Sequence, residues 1–67
     1  MTEQEKWLEE MRGKTASQIL DDLEAEYADD DLALSMVANR RRDIEKVPEE
    51  RGWRLALGLA GDLELYS

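Results

Sequence analysis

The densest concentration of chemically capable side chains in this sequence is acidic. Asp21, Asp22, Glu24, Glu26, Asp29, Asp30 and Asp31 place seven carboxylates within eleven residues. General acid–base catalysis needs a pair of acids whose surroundings push their pKa values apart, and an open helix face supplies no such contrast. A calcium loop needs alternating oxygen ligands, a central glycine and a terminal glutamate, and Asp29 to Asp31 lack that pattern. Two uses remain: a solvated face with a capping turn, or a docking surface for lysine and arginine on a partner. In its strongest form the docking surface is a nucleic-acid mimic, with carboxylates on a rigid helix standing where backbone phosphates would stand.

The second concentration is Arg40, Arg41 and Arg42. Consecutive helical residues diverge by about 100°, so the three cannot form one phosphate-binding face. Arg41 can reach Glu45 at four residues' spacing, and Arg42 has candidate partners in Glu45 and Glu49. Arg40 differs from its neighbours because it projects into the middle of an apolar arc. Either its stem lies along the core with the guanidinium reaching water, or it forms a structural ion pair with a carboxylate of the preceding helix or of a partner chain.

Other chemistry is sparse. Cysteine and histidine are absent, which removes disulfides, thiolate and imidazole catalysis and the usual zinc sites. Gly58 to Gly61 reads GLAG without the strand, lysine or serine of a phosphate loop, and no serine stands in a nucleophile elbow. A chain of this size also encloses no substrate pocket by itself. The reading is therefore non-enzymatic, with no catalytic, cofactor or metal residues. Trp7 and Trp53 are the largest apolar side chains; both suit a core, and Trp7, on a short first helix, is also a candidate interface anchor.

The elements that position these groups follow from periodicity. Leu32, Ala33, Met36, Val37, Ile44 and Val47 fall within an arc of about 140°, as expected of a helix with one buried face. This helix, Asp31 to Val47, has caps in Asp29 to Asp31 and a stop at Pro48, and it reads as the centre of the fold. Ile19, Leu20, Leu23 and Tyr27 stripe a preceding helix, Ala16 to about Ala28, opened by Thr15 and Gln18 at capping-box spacing. The short connection makes the two an antiparallel hairpin. Thr2 and Glu5 repeat the capping-box spacing before a first helix from Glu3, which carries Trp7, Leu8 and Met11 and stops at Gly13. After Pro48, Trp53, Ala56, Leu57 and Ala60 share a helical face, predicting a helix to about Leu59 with a break at Gly61. The strict alternation of Leu55, Leu57 and Leu59 supports an alternative, a C-terminal β-hairpin at 54–66.

The expected fold is thus all-α: one small domain over 1–67, a bundle of three to four helices on a central antiparallel hairpin. Sixty-seven residues without staples leave a thin stability margin, which makes a homodimer a reasonable expectation. No apolar run approaches a membrane span, and the acidic opening MTEQEKWLEE does not resemble a signal peptide, so a cytoplasmic address is expected. Residues 1–31 hold eleven acids against three bases, whereas 32–67 hold six of each, so the net charge of −8 lies in the first half. That disfavours nucleic acid or anionic membrane as a direct partner and favours a larger protein with a basic surface or cleft.

In size and composition alone the chain resembles the small acidic inhibitors encoded by phages and mobile elements, which act on host defence or regulatory proteins. The resemblance rests on no motif and carries over no residues. The function expected is a protein-interaction module, an acidic inhibitor or adaptor. A structural self-assembling helical module and a divalent-cation-responsive regulator are the alternatives.

Overall fold

The computed structural model describes residues 2–66, and within that span the side chains of residues 4 and 66 are not described. Four helices follow in order: α1 (Glu3–Arg12), α2 (Ala16–Glu26), α3 (Asp31–Glu45) and α4 (Glu49–Tyr66). No strand occurs among the described residues. The all-α bundle expected from periodicity is the fold observed, and the C-terminal hairpin is not formed.

The helix starts follow the capping chemistry in the sequence. The Thr15 hydroxyl accepts from the Gln18 amide at 3.2 Å while the Gln18 side chain accepts from the Thr15 amide at 2.9 Å, completing a capping box. At α1 the Thr2 hydroxyl accepts from Glu5 N–H at 3.3 Å. The Asp30 carboxylate accepts from Ala33 N–H at 3.1 Å and opens α3. Each bond satisfies one of the first-turn donors that a helix leaves without a partner. Helices α2 and α3 end two residues earlier than periodicity suggests, at Glu26 and Glu45.

The core is Ala16, Ile19, Leu20 and Leu23 from α2, Ala33 and Val37 from α3, and Ala56, Leu59, Ala60 and Leu63 from α4. Only α4 packs broadly on both other long helices, so α4, not α3, is the centre of the bundle. The predicted arc of α3 is correspondingly only partly buried. Ala33 and Val37 are buried, Met36 and Ile44 are half-buried, and Leu32 is 55% exposed.

Helix α4 also corrects the expected break. It runs through Gly61 to Tyr66. Gly61 keeps an ordinary negative φ, and Leu63 beyond it is buried, so packing of the last turns outweighs the cost of glycine in a helix, about 1 kcal/mol. The alternation of Leu55, Leu57 and Leu59 is real in the sequence, but on a helix only Leu59 reaches the core; Leu55 and Leu57 are half-buried on its flanks. Of the face expected from spacing, Ala56 and Ala60 are buried and Trp53 and Leu57 half-buried, and Leu59 and Leu63 complete the buried surface.

Candidate functional site

The ends of the bundle are fixed by which helix termini meet. The Ala16 amide at the start of α2 donates to Glu49 Oε1 at the start of α4, at 2.8 Å, so these helices run parallel. The Trp53 indole N–H donates to the Met11 carbonyl at 2.9 Å, placing the end of α1 beside the same start of α4. Trp53 is therefore a structural residue with its polar atom satisfied, as expected for a core tryptophan. Gly52 lies between them: a Cβ there would stand 3.2 Å from Ile44 Cβ and 3.6 Å from Ala16 Cβ. Glycine is what lets α4 approach α2 and α3 so closely.

The opposite end gathers the start of α1, the α2–α3 turn and the end of α4. Glu3 shares a surface depression with Asp62, Glu64 and Leu65. A second cleft, about 310 Å³, sets Glu64 beside Trp7, Glu26 and Tyr27. With Asp29, Asp30 and Asp31 in the turn after Tyr27, this end gathers seven carboxylates; Lys14 lines the cleft, and Lys6 lies between Glu3 and Trp7 on α1. Acids therefore outnumber bases at this end, in line with the net charge of −8 of the whole chain.

The seven sequence-predicted acids are thereby divided. Asp21 Oδ1 and Glu24 Oε1 accept from Arg41 Nη2 at 2.8 and 2.7 Å, bracing α3 against α2. Arg41 Nη1 also points to Ser17 Oγ at 3.5 Å. These bonds, to Glu24 first and Asp21 second, raise the Arg41 pKa against the opposing effect of partial burial. Asp22 pairs with Lys14 from the α1–α2 turn. Asp30 is a helix cap. Glu26, Asp29 and Asp31 have no hydrogen bond or ion pair among the described residues. Reversing the charge of Asp21, Asp22 and Glu24 would therefore disturb intramolecular bonds as well as any partner.

The arginines trade the expected parts. Arg40 is ion-paired, with Asp43 of its own helix at 3.5 Å, and its buried Nε has no partner among the described residues. Its neighbour Arg41 makes the link to the preceding helix instead of pairing with Glu45. One residue's 100° rotation decides which guanidinium faces α2. Arg42 forms no ion pair with Glu45 or Glu49 among the described residues.

Sequence reasoning missed Glu3, Asp62 and Glu64 as members of the pole. A local signal existed for the last two: acids in the closing turns of a helix oppose its dipole, so Asp62 and Glu64 lower the stability of α4. No three acidic residues among the described residues converge as ligands for a metal ion, Asp29 to Asp31 included. No described helix is long and apolar enough to cross a membrane. No protein-family model, curated protein or solved structure matches the chain.

Proposed function

We propose that this protein is a non-enzymatic interaction module whose acidic pole binds a basic surface or cleft on a larger protein, as an inhibitor or adaptor. The observation that carries the reading is the segregation of charge. Asp30 caps α3, and Glu3 and Asp31 suit helix first turns, but like charges crowded at one end repel and Asp62 and Glu64 also oppose the α4 dipole, so folding accounts for only part of their placement. A pole of this kind steers a basic partner during encounter and is complementary to it on contact. In the strongest form the partner's cleft is one that binds nucleic acid, and the carboxylates occupy its phosphate positions. An inhibitor of a host defence or regulatory protein, carried by a phage or mobile element and acting in the cytoplasm, is the concrete setting.

The test is capture of partners by the natural chain and by a variant with Glu3→Gln, Asp29→Asn, Asp31→Asn and Asp62→Asn, which leaves Asp30 and the Arg41 bonds in place. The expected result is a partner with a lysine- and arginine-lined cleft retained by the natural chain alone and released by salt. Retention of the same partners by both chains would overturn the reading.

A second reading, self-association, is favoured by Leu32 and Leu65, which are 55% and 89% exposed, and by the outer face of α4, where Gly58 and Gly61 have open space around them. A homodimer covering that face would account for apolar residues that the monomer leaves in water.

A further inference from the structure

We propose that the cleft between α1, α2 and the second half of α4 receives an arginine side chain of the partner. This rests on the interaction reading above and names its point of contact.

The cleft brings together two of the four aromatic rings of the chain, Trp7 and Tyr27, with Met11, and sets Asp22, Glu26 and Glu64 around them. Trp7, Met11 and Tyr27 are half-buried, so each packs on the core through one side and leaves the other open to the cleft. A guanidinium is planar and weakly hydrated; it stacks on aromatic faces while its edge donates to carboxylates. Aromatic walls with an acidic rim meet both demands, and the apolar floor suits the three-carbon stem.

Charge balance inside the cleft points the same way. Lys14 is the one cation among its described lining residues, and that cation already bonds Asp22. The Glu26 carboxylate has no partner among the described residues. The cleft is therefore net negative with an acceptor to spare, and an incoming cation completes it. Its volume, about 310 Å³, suits one long side chain and not a helix or strand. The cleft also opens beside the acidic pole, so a partner drawn there by long-range attraction arrives at the cleft mouth.

The probe is the capped peptide acetyl-Lys-Leu-Arg-Leu-Lys-amide, with citrulline in place of arginine as the neutral control, followed by NMR of the full chain. Arginine should move the Trp7 indole and Tyr27 ring signals saturably, citrulline should bind about tenfold more weakly, and Glu26→Gln should weaken the arginine peptide about fivefold. Glu26 is exposed and has no bond among the described residues, so this variant keeps its fold, which unchanged chemical shifts elsewhere would confirm. Shifts confined to Asp29 to Asp31 and unaffected by Glu26→Gln would overturn the cleft assignment while leaving the acidic pole as the binding surface. Equal binding of the citrulline peptide would overturn selection for the cation, and no binding of either would overturn the site; the capture experiment judges the broader reading independently.

Discussion

The two ends of this bundle are made from similar residues and put to opposite uses. Where α1 ends and α2 and α4 begin, side chains bond the backbone of neighbouring helices. Glu49 caps α2, Trp53 ties down α1, and Gly52 admits Ile44 and Ala16 to contact distance. Where α1 begins, α2 turns into α3 and α4 ends, seven carboxylates gather beside exposed Leu32 and Leu65. The first end is organised by what it bonds inside the molecule. The second keeps a surplus of acids at its surface, and that difference supports the proposed interaction surface better than acidity alone, since Asp21 and Glu24 are acidic too and hold Arg41.

The comparison can be broken most sharply at Gly52. Gly52→Val places two methyl groups where even a Cβ is crowded, and it should destabilise the protein by about 1–3 kcal/mol in a denaturant titration. An unchanged midpoint would mean that the close end is not closely packed. Trp53→Phe keeps the ring in place and removes its bond to the Met11 carbonyl, at a cost of about 0.5–1.5 kcal/mol. Faster amide exchange should be concentrated in α1, none of whose described side chains is buried. Uniform acceleration across all four helices would show instead that α1 is not a separately held element.

The smallest expected effect has the opposite sign. Asp62→Lys removes a charge from the pole and sets a cation near the end of α4, and should stabilise the fold by about 0.3–1 kcal/mol at low ionic strength, fading as salt is added. A destabilising result would show that Asp62 has a structural part, and the contrast between the ends would weaken. The Arg41 bridge adds no pH dependence in the ordinary range through its guanidinium. The raised pKa means that its contribution is fully present below the unfolded-state value and is lost only as pH climbs through the still higher folded one.

Local signals in the chain were sufficient for its secondary structure. Two Thr-based caps, the Asp30 cap, Pro48 and the apolar stripe of α2 are each read within a few residues, because capping and helical periodicity are short-range physics. The stretch after Trp53 was ambiguous for the same reason: alternating leucines and two glycines satisfy both a hairpin and a helix locally, and burial of Leu59 and Leu63 against α2 and α3 decides for the helix. The candidate site was half legible. Glu26, Asp29, Asp30, Asp31 and Trp7 are at or beside the surface expected, whereas Asp21, Asp22 and Glu24 are tied to Arg41 and Lys14, which no spacing rule within one helix could reveal.

By itself, then, the sequence determined four helix-forming stretches, their starts, an excess of eight negative charges and the absence of cysteine and histidine chemistry. Tertiary structure alone decided that α4 is the centre, that Arg41 and not Arg40 faces α2, and that Glu3, Asp62 and Glu64 join the α2–α3 turn. Local rules act through the backbone over one or two turns. Which helix ends become neighbours depends on how all the apolar faces are buried at once, and the charge pole is a consequence of that packing.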